Sequence, residues 1–525
     1  MKKSVKRVLC LTSCLALAFS STGLVGCKKE VRDDDQTLEI YAANFGYGYA
    51  WLDAIVENFR NESWVQEKYP NLNIPALATN SEKTYAHDQI TSGETSVDLF
   101  VAAESANYYF EKKDKAGNYY YEDLSTLFKE NVYGEQITIE DKMIPFFKSA
   151  TMVETADGTT VQFGMPWVAG PMGILYNKTV VEQKLGASYV MPRTTVELVK
   201  MCDDLLGQGL TPWVFCSAED YQSILVDLWW MQYEGLESYQ NFWLGQNENG
   251  EISSDIFKQQ GRLESLKIFE SLMKDEYVHS EVNLLDFTSA QSQFILGNGV
   301  MQANGDWFEN EMRATSSEVE QETVITYMKL PVISSIINQC TDVKDEAKLT
   351  AVIDAVDSGA TSFDGVCEDD FTRIKQARTL VSSVSGHDIY IPSYATAKGL
   401  AKDFLKYLVS DKSLNTFIRT TNGATMPYKY DLKTVDATLY DSLLQIQKDK
   451  FAILENATYP LGSSYKLEYY GGVSSFSQTK NLSFAFTASN QADRKSAQKI
   501  YDDEIAHWTK DNGVYWNLLK QKLGW

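Results

Sequence analysis

Histidine is scarce in this chain of 525 residues: His87, His279, His387 and His507 are the full set, and they are scattered. Cysteine is sparse too. Cys10, Cys14, Cys27, Cys202, Cys216, Cys340 and Cys367 follow no metal-site spacing, so no metal centre and no cofactor are expected. The chain also lacks a Gly-x-Ser-x-Gly elbow, a Gly-x-x-x-x-Gly-Lys-Ser/Thr phosphate loop and a His-Glu-x-x-His helix. These absences remove the common serine hydrolases, P-loop nucleotide enzymes and zinc peptidases. A glycoside hydrolase stays open, because it needs only two carboxylates and 71 acidic residues are present. Positive charge is short as well, with 48 Lys and Arg and a formal net charge of −23. Four of those cations, Lys2, Lys3, Lys6 and Arg7, fall within the first 26 residues, which contain no acid, so the remainder is more acidic still. Like charges repel, which argues against nucleic acid or anionic lipid headgroups as ligands.

Aromatic residues are plentiful. They make up 12% of the chain, with 30 Tyr and 11 Trp. Trp and Tyr offer a flat apolar face with a polar edge. The length exceeds what one hydrophobic core holds, so at least two lobes are expected.

Met1 to Arg7 is basic, and Val8 through Phe19 is apolar but shorter than the ~20 residues of a membrane span. This pattern predicts a secretory signal over 1–26. Its end, Leu24-Val25-Gly26-Cys27, resembles a bacterial lipobox. That resemblance implies cleavage before Cys27, lipid on Cys27, a tether over 27–36 and a body held at the extracellular face of the cell membrane. Cys202, Cys216, Cys340 and Cys367 are expected as buried free thiols.

The body opens with an alternating strand, Thr37 to Ala42, a Gly-containing loop, Asn44 to Tyr49, and a helix to Phe59. Strands over Leu72–Ile74 and Val97–Ala102 continue a β-α-β-α-β order, which predicts a parallel sheet. Ligands bind at the carboxyl ends of such strands, making Asn44, Phe45, Tyr47 and Glu104 candidates. Gly164 to Lys178 is a shaped crossing around Trp167 that ends in a strand. Thr194 and Glu197 fit a capping box ahead of an apolar stripe at Leu198, Cys202, Leu205 and Leu206. Trp229 and Trp230 are adjacent on a helix and point about 100° apart, so one suits the core and the other a cleft. Gly305-Asp306-Trp307 sets an indole beside a carboxylate. A sugar would use both, its C–H face on Trp307 and its hydroxyls donating to Asp306. Residues 334–385 form an acidic stretch with helical runs, and Tyr470 lies in a Tyr-Tyr-Gly-Gly tail segment.

Several of these blocks, in order, resemble family 1 extracellular solute-binding proteins, the maltose-binding-protein-like receptors of carbohydrate ABC importers. The matching segments are the Trp167 crossing, Tyr121-Glu122-Asp123-Leu124-Ser125, Pro192 to Leu198 (with Val196 where the family usually has Trp), Phe294 to Trp307, Lys329-Leu330-Pro331 and Ala401 to Leu408. The resemblance implies a two-lobed α/β fold of the periplasmic-binding-protein kind, each lobe a mostly parallel sheet flanked by helices and the lobes joined by hinges. On it, residues 37–166 and 290–333 form lobe one, 167–289 and 386–525 form lobe two, and 334–385 is an acidic helical insertion. It further implies a monomeric receptor, not an enzyme, that hands an oligosaccharide to the membrane subunits of an ABC permease. Asn44, Phe45, Tyr47, Glu104, Trp167, Trp229, Trp230, Asp306, Trp307 and Tyr470 are the expected ligand contacts. The alternatives are a receptor of the same fold for a peptide or charged solute, and a surface glycoside hydrolase.

Overall fold

The computed structural model describes residues 36–82, 84–103, 110, 112–154, 159–217, 220–313, 323–383, 387–461, 473 and 482–525. Cys27, Glu104 and Tyr470, with the expected signal and most of the tether, lie outside the described residues. The strands are β1 (Ile40–Ala43), β2 (Ala78–Asn80), β3 (Leu99–Val101), β4 (Met165–Pro166), β5 (Pro171–Asn177), β6 (Met301–Gly305), β7 (Ile325–Met328), β8 (Ser382–Ser383) and β9 (Asp388–Tyr390), with a separate hairpin at Met152–Glu154 and Thr160–Gln162.

The first sheet runs β2-β1-β3-β9-β4. β1 pairs parallel with β2 and β3, as the alternation of strands and helices requires, while β9 runs antiparallel between β3 and β4. Helix α1 (Ala50–Arg60) buries Trp51, Leu52, Ile55, Val56 and Phe59 against this sheet, the stripe that 3.6-residue periodicity produces.

The second sheet is built on β5, which pairs with β6 on one side and with β7 and β8 on the other, every pair antiparallel. Beyond β6, Trp213 bridges in parallel to Met301 and to Val278, so the second sheet mixes both senses. Its pairings differ from the expected lobe boundaries. β6 and β7, expected in lobe one, are hydrogen-bonded to β5 in lobe two. β9, expected in lobe two, returns to the first sheet.

Helix α2 (Thr195–Gly207) starts as its capping residues dictate. The Thr194 hydroxyl accepts from Glu197 N at 3.3 Å, and the Glu197 carboxylate accepts from Arg193 N at 2.8 Å, one residue before the cap. Helices α3 (Ser223–Glu234) and α4 (Gln260–Leu272) complete the second core. The 334–385 stretch is no appendage. Its helices α5 (Glu346–Asp357) and α6 (Glu368–Thr379) bury Leu349, Val352, Ile353, Phe371 and Ile374 in that core, and Arg378 ties them to Asp357 at 2.7 Å and to Leu330 O at 3.0 Å.

Helices α7 (Lys398–Leu408) and α8 (Asp411–Thr420) then pack Leu400, Phe404, Leu405 and Phe417 into the first core. The chain regains lobe two with α9 (Gln445–Leu454), which lies on β7 through Ile446 and Ile453. The closing helix α10 (Ala497–Leu523) covers Trp230, Phe242 and Phe257 with Trp508, Trp516 and Leu519. All four body cysteines are free thiols; Cys202, Cys216 and Cys340 are buried and Cys367 is half-buried.

Because Ile353 is fully buried, Ile353→Ala is expected to cost about 2–4 kcal/mol of lobe-two stability in denaturant unfolding. A cost under about 0.5 kcal/mol would return α5 to the status of a surface appendage.

Candidate functional site

Three passages of chain join the sheets, β4 to β5, β8 to β9 and the segment after α8, and described residues of each meet at one seam. Trp167 N donates to His387 O at 3.0 Å, and Ala169 N donates to Thr425 O at 2.8 Å. The Tyr428 hydroxyl donates to Pro166 O at 2.9 Å. Trp167 locks this seam. Its indole N–H donates to Ala102 O at 2.7 Å, its ring stacks on Trp51 with centroids 5.0 Å apart, and Tyr47 meets it edge-on at 6.0 Å. With 3% of its surface exposed, Trp167 is a packing centre of lobe one and not the stacking platform expected.

The Gly-containing loop after β1 stands at the seam. Gly48 takes φ +62°, which closes the turn that brings Gly48 N to Phe45 O and points Tyr47 inward. Asn44 is exposed, Phe45 is half-buried against the Tyr41 cluster, and Tyr47 is buried.

Opposite stands Trp307, half-buried and met edge-on by Tyr47 from lobe one at 6.5 Å and by Tyr221 from lobe two at 5.8 Å. Its ring lies back over Gly305, where an added Cβ would come within 2.2 Å of the indole, so only glycine fits beneath it. Among the described residues, the Trp307 indole nitrogen has no hydrogen-bond partner.

Asp306 departs from expectation. Its carboxylate is sequestered, accepting from the Tyr47 hydroxyl and pairing with Lys450 Nζ at 3.2 Å; the two side chains of the pair are 0% and 2% exposed. Each of its oxygens already has a partner and is shut off from solvent in this arrangement. Burial pulls the Lys450 ammonium below its ordinary value, with Asp306 opposing. Trp229 and Trp230 are both buried, so neither presents a cleft face. Trp229 donates to Pro331 O at 3.1 Å inside the second core, and Trp230 donates to Gln259 beneath α10.

Sequence reading missed Tyr221, Asp388 and Lys450. Tyr221 sits in an aromatic-rich stretch, Asp388 opens the β-branched and aromatic run of β9, and Lys450 carried no signal. Asp388 is buried between Gly164 and Tyr390. Its Oδ2 accepts from Tyr390 at 3.1 Å, while Oδ1 has no partner among the described residues. Burial pushes its carboxyl up to about 7, and burial also raises Glu311, whose Oε2 accepts from Gln291 at 2.7 Å. The acids at the seam are therefore paired or biased toward the neutral form. The seam combines aromatic edges and amide groups with little free charge.

Elsewhere, a groove of about 620 Å³ opens between α3 and α6, lined by Gln232, Leu236, Asp369, Arg373 and Gln376 among others. Nearby, Asp342, Cys367 and Asp370 converge, but Asp370 is engaged by the backbone N–H groups of Thr341, Asp342 and Val343, as a loop cap is.

The raised Asp388 carboxyl couples stability to pH. Its folded value lies above the unfolded value of ~3.9, so the native state binds the extra proton and stability falls as pH rises from about 4 to 7. Asp388→Asn is expected to stabilise the protein by up to about 4 kcal/mol at pH 8 and to lose that advantage below pH 4. Thermal unfolding against pH checks this; an equal effect at both ends would contradict it.

The sequence profile described as bacterial extracellular solute-binding protein matches residues 42–414. No curated protein matches the sequence. Among solved structures, a probable secreted solute-binding lipoprotein from Streptomyces coelicolor aligns with TM-score 0.57 at 12% identity, over 90% of this chain and 99% of that one. RafE in complex with raffinose aligns with TM-score 0.55 at 14% identity, over 92% and 99%. The GacH receptor of Streptomyces glaucescens, solved unliganded and with acarbose, aligns with TM-score 0.55 at 12% identity, over 92% and 98%. At these identities the likeness is one of fold: two lobes with a mixed α/β build. With the profile spanning most of the chain and two sheets joined by three passages, the chain belongs to the bacterial extracellular solute-binding protein family.

Proposed function

We propose that this protein is the ligand-capturing receptor of an ABC importer for a neutral oligosaccharide, anchored outside the cell through lipid on Cys27. The observation that carries the reading is the seam itself. Trp307 is met edge-on by Tyr47 from one lobe and by Tyr221 from the other, while Asp306 is paired with Lys450 and burial biases Asp388 toward its neutral form. Stacking on an indole and hydrogen bonds from amides suit a ring with C–H faces and hydroxyls. A charged solute would need an uncompensated counter-charge there. The ligands of two fold neighbours, raffinose for RafE and acarbose for GacH, agree with this class.

Asn44, Phe45, Tyr221 and Trp307 are the contacts proposed from the described residues, with Glu104 and Tyr470 as further candidates. Binding between the lobes favours the closed form because only that form offers contacts from both sides. The closed monomer then presents the ligand to the permease subunits.

Calorimetric titration against neutral oligosaccharides, uronic-acid sugars and peptides tests the reading. Saturable binding is expected for at least one neutral oligosaccharide, with Trp307→Ala weakening it by about 1–3 kcal/mol. Binding confined to charged sugars or peptides would overturn it, and shortened glycan products would indicate a hydrolase instead.

A further inference from the structure

The loop after β1 and the segment after β6 touch across the seam at two points. The Tyr47 hydroxyl donates to Asp306 Oδ1, and the Asn310 side-chain amide donates to Gly46 O. Tyr47 packs in the lobe-one core. Asp306 directly follows β6, and the short helix Phe308–Arg313 that carries Asn310 is fixed to the second sheet through Phe308 and Met312. The approach is close: a Cβ on Gly46 would lie 3.1 Å from Trp307 Cβ and 3.3 Å from Glu311 Oε1. Behind Asp306, Lys450 of α9 supplies the counter-charge at 3.2 Å and also donates to Gly423 O.

A buried ion pair is costly to desolvate, and it is tolerated where extra hydrogen bonds complete its shell. Here the completing donor to the carboxylate comes from the opposite lobe. Parting the lobes removes that donor and lets water reach the pair, whereas apposing them restores a charge-assisted hydrogen bond.

We infer that Tyr47 and Asn310 form an interlobe latch, armed by the Asp306–Lys450 pair, that sets the open–closed balance of the protein before any ligand arrives. The Tyr47 hydroxyl, expected from sequence to face a ligand, is committed to this latch. Because apparent affinity scales with the fraction of binding-competent protein, the latch also tunes affinity without touching the guest. The inference needs the two-lobed fold but not the identity of the ligand.

The test uses the purified, ligand-free protein. Tyr47→Phe keeps the ring and removes the donor, Asn310→Ala removes the second contact, and the two are then combined. Small-angle scattering is expected to show a larger radius of gyration in each single variant and a larger one still in the double variant. The open-to-closed ratio should rise about fivefold or more per contact. Circular dichroism confirms that each variant is folded; if Tyr47→Phe does not fold, Asn310→Ala carries the test. A radius of gyration identical to the parent in the folded variants would overturn the latch. Since no sugar is present, this failure would leave the carbohydrate reading untouched, and an absent sugar response would leave the latch untouched.

Discussion

The architecture depends on three chain passages bonded to one another where the two sheets meet. Trp167 N to His387 O, Ala169 N to Thr425 O and Tyr428 Oη to Pro166 O hold the passages in register. Trp167 fixes them to lobe one through its stack on Trp51 and its bond to Ala102 O. Buried backbone donors and acceptors must be paired, and here the partners come from neighbouring passages. The two lobes are thus joined by hydrogen-bonded passages, while each keeps its own apolar core.

That hinge explains why the residues around it are polar yet nearly uncharged in effect. A seam that alternately meets water and protein needs polar groups, and each buried charge there must be matched. Asp306 is matched by Lys450 and capped by Tyr47. Asp388 is held toward its neutral form by burial, and Glu311 is raised the same way. The aromatic rings of Tyr47, Tyr221 and Trp307 occupy what remains. One short region thus serves hinge, latch and binding surface together.

Local features were legible in the sequence, and pairings between distant segments were not. The capping box at Thr194 and Glu197 depends on residues within one turn, and it stands as read apart from a one-residue shift of its partner. The loop at Asn44 to Tyr49 was found because Gly and aromatics follow an alternating strand. The lobe membership of β6, β7 and β9 depends on strands more than a hundred residues away, so the resemblance placed them on the wrong sides. Asp306 looked free because Lys450, its partner, lies 144 positions further on. Trp229 and Trp230 differed in the expected way of adjacent helical residues, pointing to different neighbours. What sequence did not reveal is that α10 buries the second one as fully as the core buries the first.

The central claim is that a guest is held between the lobes and not on either alone. Hydrogen–deuterium exchange of the protein, with and without a saturating glycan that binds it, tests this most directly. The account predicts slowed exchange in both the 44–49 loop and the 304–311 segment, together with the 165–171 and 424–428 passages. Protection confined to one lobe, or to the groove at 368–376, would contradict it.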